Sequence, residues 1–165
     1  HGDNIVASGG EDASVKLWDV RDTKSPKQQW KSCWEAGVTC ISSHPLNPQY
    51  VAVGSYDESL SIFDLRKALG KPLSTASMGG GIWRIRWHPS QSQKILVGAM
   101  HGGCRIVESD VTYEGLTIQR EFTKHESMAY GADWIVAPEG SSFDAAVSCS
   151  FYDRNVYLWD VSDTS

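Results

Sequence analysis

Three features of this 165-residue sequence predict an all-β architecture built of propeller blades. One short ending recurs at a blade-like interval, short apolar runs are bounded by turn residues, and no stretch carries a convincing helical period. The ending runs from Gly9-Gly10-Glu11-Asp12 to Leu17-Trp18-Asp19. It returns from Ser55-Tyr56-Asp57-Glu58 to Ile62-Phe63-Asp64, and from Phe151-Tyr152-Asp153-Arg154 to Leu158-Trp159-Asp160. A worn copy, Met100-His101-Gly102-Gly103 leading to Val107-Glu108, stands between the last two. From Trp18 to Phe63, Val107 and Trp159 the steps are 45, 44 and 52 residues. Repeats of about 40–45 residues with such endings mark four-stranded propeller blades.

The elements follow in order. A partial first blade, residues 1–36, places its second and third strands at 4–9 and 13–18, with an outer strand near 28–34. The second blade, 37–79, runs through Val38–Ile41, Tyr50–Val53 and Leu60–Phe63 to an outer strand near 72–77. The third, 80–124, uses Ile82–Trp87, Ile95–Val97, Cys104–Val107 and Leu116–Phe122. The fourth, 125–165, uses Gly131–Val136, Ala145–Cys149 and Val156–Trp159, its outer strand missing or supplied from beyond the segment. Inner strands are thus expected at about 38–43, 82–88 and 131–136. Propellers close with about 4–8 blades, so three and a half blades read as part of a ring of about seven. His1 in place of Met fits a piece of a longer chain, and open edges should make the piece a poor stand-alone domain.

Composition narrows the function classes. The net charge of −5, from 15 basic and 20 acidic residues, argues against general nucleic-acid binding. No run approaches the roughly 18 apolar residues of a membrane span, and no secretory leader is visible. Cys33, Cys40, Cys104 and Cys149 form no Cys-x-x-Cys pair, so no metal or other cofactor is expected. Cys40 and Cys149 fall in strands and read as buried thiols in a reducing cytosol.

Much of the repeat is scaffold. Asp12, Asp57 and Asp153 sit in tight turns, where a short carboxylate accepts backbone N–H groups. Trp18, Phe63 and Trp159 are apolar bodies that fill space between blades. His44-Pro45 and His88-Pro89 end two inner strands, because proline cannot donate to a ladder.

Function is sought where the pattern breaks. In the third turn His101 replaces aspartate. The stretch His125-Glu126-Ser127-Met128-Ala129-Tyr130-Gly131-Ala132-Asp133-Trp134 is dense in chemistry, although His125 could also hold Asp153. Gly79-Gly80-Gly81 precedes Trp83 and permits close backbone approach. Propeller geometry puts His101, His125, Tyr130, Trp83, Tyr56 and Tyr152 around one mouth of the central channel. Glu58, Asp133 and Glu126 are expected to flank it, which suits a cationic group.

The runs Gly80-Gly81-Ile82-Trp83-Arg84-Ile85-Arg86-Trp87-His88-Pro89 and Tyr130-Gly131-Ala132-Asp133-Trp134, with Tyr56-Asp57-Glu58 and Met100-His101-Gly102-Gly103, resemble the WD-repeat diphthine methylesterase family of diphthamide biosynthesis. The resemblance covers about residues 50–160. It implies a cytoplasmic hydrolase whose partner is elongation factor two: a diphthine methyl ester is cleaved to methanol and a carboxylate, which a separate enzyme amidates. The implied side chain carries a trimethylammonium group, in keeping with an aromatic mouth.

No family nucleophile is carried over, so the catalytic assignment is drawn from chemistry. Ester hydrolysis needs an activated nucleophile, a proton carrier and an oxyanion stabiliser. Either His101 or His125 is expected as general base, acting on water directly or through Ser127 or Cys104. Asp133 or Glu126 would orient it, and the N–H groups of Gly102 and Gly103 would hold the oxyanion. Trp83, Tyr130, Tyr152 and Tyr56 would bind the substrate. The alternative is a non-catalytic WD-repeat scaffold for protein–protein interaction.

Overall fold

The computed structural model describes residues 4–31, 33–67, 70–136 and 144–161, and every regular element among them is a strand. The first sheet holds β1 (Ile5–Gly10), β2 (Ser14–Asp19) and β3 (Gln28–Trp30). The second holds β4 (Val38–Ser43), β5 (Tyr50–Ser55), β6 (Ser59–Asp64) and β7 (Ser74–Ser77). The third holds β8 (Arg84–Trp87), β9 (Lys94–Gly98), β10 (Cys104–Ser109) and β11 (Leu116–Phe122). The fourth holds β12 (Gly131–Val136), β13 (Asp144–Cys149) and β14 (Val156–Asp160). Each sheet is an antiparallel meander in which chain neighbours pair. The inner strands stand side by side, β4 against β8 and β8 against β12. This is a propeller arc. The third inner strand begins at Arg84 rather than Ile82, because the Ile82 N–H bonds to Ser55 O in the preceding sheet.

The core lies between sheets, as blade packing requires. Phe63 and Val53 of the second sheet meet Val15, Leu17 and Trp30 of the first. Ile62 and Leu60 meet Ile85, Val97 and Val107 of the third. Leu96 and Ile106 meet Ala132, Ala146 and Trp159 of the fourth. Strand periodicity explains the division: on β9, Ile95 and Val97 turn to one neighbour and Leu96 to the other. Two aromatic stacks repeat the same joint. Trp30 stacks on Phe63 at 4.6 Å, and Phe122 on Trp159 at 4.8 Å. Phe63 and Trp159 therefore fill interblade space as expected. Trp18 is only half-buried, its indole N–H donating to Ser8 Oγ at 2.8 Å.

The turn carboxylates hold their turns and differ in their further partners. Asp57 accepts the Glu35 N–H at 2.7 Å and the Ser59 N–H at 3.0 Å, and Asp153 accepts those of Asn155 and Glu126 at 2.8 and 3.1 Å. Asp12 pairs with Lys16 at 2.6 Å and is also hydrogen-bonded by Ser14, two residues on. The residue after each aspartate takes a left-handed backbone: Ala13, Glu58 and Arg154 have φ of 50°, 74° and 59°.

His44 and His88 brace the opposite face. Each Nδ1 accepts two backbone N–H groups just beyond its proline, from Leu46 and Asn47 or from Ser90 and Gln91. His44 Nε2 reaches Ser92 O at 2.8 Å and the Tyr113 hydroxyl at 3.1 Å. Tyr113 was not anticipated; it is buried, at φ 60°, against the rings of His44, Tyr50 and Trp87.

The cysteine expectation is corrected in part. Cys149 is exposed and Cys40 half-buried, whereas Cys104 is the fully enclosed thiol. Cys149 ends β13 on the outward face of the last sheet, where no described strand covers it.

Candidate site at the channel mouth

Four of the predicted binding residues come together as one row. Tyr56 meets Trp83 edge-on at 6.3 Å, Trp83 meets Tyr130 edge-on at 5.6 Å, and Tyr130 lies 6.0 Å from Tyr152. Phe151 extends the row, 5.3 Å from Tyr152. The rings are not core: Tyr56, Trp83 and Tyr152 are 51, 43 and 57% exposed. The backbone sets them there. Trp83 and Tyr130 each stand just before an inner strand, their N–H groups bonded to Gly98 O and Cys149 O. Tyr56 and Tyr152 crown the turns between second and third strands. The fourth turn has six residues between paired Cys149 and Val156, against five between Gly54 and Leu60, so it presents two aromatics where the second presents one. Burial and the neighbouring Tyr152 raise the pKa of the Tyr130 hydroxyl, which keeps it protonated.

Three loops are clasped beneath the row. A Cβ on Gly80 would lie 2.2 Å from Ala99 O and 2.6 Å from Gly102 N, so only glycine allows this backbone contact. Met100 forms an isolated bridge with Ala129, tying the third turn to the chain that enters the fourth sheet.

The proposed catalytic residues do not converge. His101 is exposed on the turn and makes no hydrogen bond or ion pair with any described residue. His125 is buried away from the mouth, its side chain 1% exposed. Its Nδ1 lies 3.0 Å from Asp153 Oδ2 and its Nε2 2.9 Å from Ser148 Oγ, which also receives the Trp159 indole N–H at 3.2 Å. This chain has the connectivity of a hydrolase triad, but Ser148 is 1% exposed and its oxygen is already engaged, so no substrate carbonyl can reach it. Burial opposes the charge on Asp153, yet the Asn155 N–H, His125 and the Glu126 N–H together hold its carboxyl below the ordinary range.

Other expectations need correction. The Gly102 N–H donates to Ala99 O at 2.7 Å and the Gly103 N–H to Met100 O at 3.0 Å, so the turn consumes both intended oxyanion donors. Burial pushes the Cys104 thiol up to about 11, which removes it as a relay at neutral pH. Asp133 pairs with Arg86 at 3.4 Å and Glu58 accepts the Ser77 hydroxyl at 3.2 Å, and neither carboxylate is hydrogen-bonded to a described histidine. Glu126 is exposed, and Ser127 is half-buried with no side-chain hydrogen bond to a described residue.

Arg84, exposed at the start of the third inner strand, was passed over by sequence reasoning. The alternation Arg84-Ile85-Arg86-Trp87 is its signal: two exposed arginines alternate with two buried apolar residues. Arg84 and Arg86 border a cavity of about 290 Å³ with Gly131, Asp133, Cys149 and Val156.

Comparison with known proteins agrees with this fold. A family model described as WD domain, G-beta repeat, matches residues 1–19 and 25–64. A Dictyostelium discoideum protein named diphthine methyltransferase homolog is 36% identical over 96% of this chain and 47% of its own length. The Schizosaccharomyces pombe diphthine methyltransferase is 34% identical over 95% of the chain and 47% of its own. The human protein of that name is 35% identical over 79% of the chain and 29% of its own. A chain in a crystal structure of the mitotic checkpoint complex superposes with a TM-score of 0.76 at 23% identity, over 97% of this chain and 46% of that one, and so shares the fold. The chain spans about half the length of the first two relatives. The chain carries WD repeats on a propeller fold, and proteins named diphthine methyltransferase are among those it is similar to in sequence.

Proposed function

We propose that the whole protein hydrolyses the methyl ester of methylated diphthine on elongation factor two, in diphthamide biosynthesis. The single observation that carries this reading is the exposed row Tyr56–Trp83–Tyr130–Tyr152, whose faces suit a trimethylammonium group. The relatives' names support the diphthine part of it. Water attacks the ester carbonyl, the bond to methoxide breaks, methoxide leaves as methanol with the proton water gave up, and a carboxylate remains. His101, unengaged on the mouth-side turn, takes the proton as general base. His125 fastens the fourth sheet. The oxyanion donor comes from groups outside this segment, since Gly102 and Gly103 are committed.

The test is methanol release from methylated elongation factor two by the full-length protein. His101→Ala should lower turnover by about 10²–10⁴ with the fold intact. A near wild-type rate would remove His101 from the mechanism, and absence of methanol with the unmodified protein would overturn the reading. One observation favours a second reading. With His125 locked away, no nucleophile is assembled among the described residues, as in a non-catalytic scaffold. A scaffold would bind elongation factor two without releasing methanol.

A further inference from the structure

We propose that Arg105 is the donor of a carboxylate-binding site at the joint between the second and third sheets. It takes one singly charged, planar oxyanion on the edge formed by its Nε and Nη2.

The run Cys104-Arg105-Ile106-Val107 puts one charged residue into an apolar strand. Alternation on β10 sends Cys104 and Ile106 toward the fourth sheet, so Arg105 shares the other face with Val107, which packs against the second. There its side chain is only 8% exposed. A guanidinium carries five N–H donors and stays charged. Among the described residues Arg105 makes one hydrogen bond, from Nη1 to Cys104 O at 3.2 Å. Its Nε is buried without an acceptor. Glu121, directly opposite on β11, approaches Nε at 3.6 Å, beyond hydrogen-bond reach. The same ladder position is settled in the two preceding sheets. Ser61 meets its cross-strand neighbour Thr75 at 3.0 Å, and Lys16 meets Asp12 at 2.6 Å. A buried cation so sparsely bonded is unfavourable, and an anion on its open edge offsets that penalty.

Glycine keeps the edge approachable. Gly79 is exposed, and a Cβ on it would lie 3.5 Å from Arg105 Nη2, so any side chain there would rest on the guanidinium. The surrounding charges choose the guest. The Glu121 side chain is 56% exposed and free to swing aside. Glu58 reaches the same rim through the Ser77 hydroxyl, whose oxygen also accepts the Gly79 N–H at 3.3 Å. Two carboxylates near one guanidinium repel a dianion such as phosphate more than a single charge. The planar arginine fork matches a carboxylate with two parallel N–H bonds. The guest is therefore a carboxylate, free or on an aspartate or glutamate side chain, and it takes the edge that Glu121 approaches without closing.

The probes are acetate, a glutamate capped at both ends and inorganic phosphate. They are titrated at neutral pH and constant ionic strength into the full-length protein carrying isotope-labelled arginine. The readout is the nuclear magnetic resonance signal of the Arg105 Nε–H, identified as the arginine signal that moves on Glu121→Gln and is lost in Arg105→Lys. Acetate should shift it saturably, with a Kd on the order of millimolar, and phosphate should bind about fivefold more weakly. Glu121→Gln, a change at an exposed side chain, should tighten acetate about fivefold by removing the competing carboxylate. A capped glutamate that matches acetate assigns the site to protein side chains, and one that fails where acetate binds assigns it to free carboxylates. No saturable shift with acetate, tighter binding of phosphate, or an acetate affinity that Glu121→Gln leaves unchanged or weakens overturns the inference.

Discussion

The second and fourth sheets hold the same joint together with opposite chemistry. In each, a turn aspartate accepts the N–H of a loop glutamate, Asp57 from Glu35 and Asp153 from Glu126. Beyond that they diverge. His125 stands four residues before Ala129, as Trp34 stands four before Val38. Ser148 pairs across the ladder with Tyr157, and Val53 with Ser61, each two residues before the closing aromatic. The fourth sheet thus runs a polar relay, Asp153–His125–Ser148–Trp159. The second packs Trp34 and Trp30 on Phe63, with ring separations of 5.6 and 4.6 Å. One backbone accepts either solution, so a histidine in this loop is a fastener and no evidence for catalysis. The apolar version has a cost, since the buried indole N–H of Trp34 finds no acceptor among the described residues.

The sharpest way to break the comparison is His125→Ala. It removes two hydrogen bonds, leaves Asp153 and Ser148 short of partners and opens a cavity, so a loss of about 2–4 kcal/mol is expected. Urea denaturation of the full-length protein measures it, and a loss below about 1 kcal/mol would show that the relay is ornamental.

A smaller effect separates the two aspartates. Both carboxyls titrate below the ordinary value in the folded state, against burial, because hydrogen bonds favour the anion. Their stabilisation is therefore complete above the unfolded value of about 4 and is lost as pH falls through the folded values. Asp153→Asn and Asp57→Asn should each flatten that acid limb in thermal melts. Asp153→Asn should also lower Tm further at pH 7, because its carboxylate faces a buried imidazole where that of Asp57 accepts the Ser59 hydroxyl. Equal drops would mean that the imidazole adds nothing over the hydroxyl.

The smallest contrast compares serines. Ser148→Ala breaks bonds to both His125 and Trp159 and should cost about 1–2 kcal/mol. Ser8, exposed, meets only Trp18, and Ser8→Ala should stay within about 0.5 kcal/mol. Chemical denaturation of the two variants decides the order.

The architecture was legible because it is written in period and alternation. The inner strand at Val38–Ser43 and the outer strand at Leu116–Phe122 lie where turn residues and apolar spacing put them. The aromatic row was legible too, since repeat position alone brings Tyr56, Trp83, Tyr130 and Tyr152 to one end. What the sequence did not settle is which partner each polar group takes. Gly102 and Gly103 offered N–H groups on paper, but the turn consumed them. Asp133 was near the mouth by position, yet an arginine from the neighbouring sheet claimed it. Tyr113 lies in a loop with no repeat signature, and its role beneath His44 depends on a contact 69 residues away. Partner choice of this kind is decided by three-dimensional competition, which spacing does not encode.

The glycine clasp has a consequence for recognition. Because Gly80 meets the backbone at Ala99 and Gly102, and Met100 is bridged to Ala129, the platform under Trp83 and Tyr130 is assembled when the protein folds rather than when a guest arrives. The entropy of ordering those loops is thus spent before the encounter, and association should resemble a key entering a finished lock, fast and without a slow rearrangement phase.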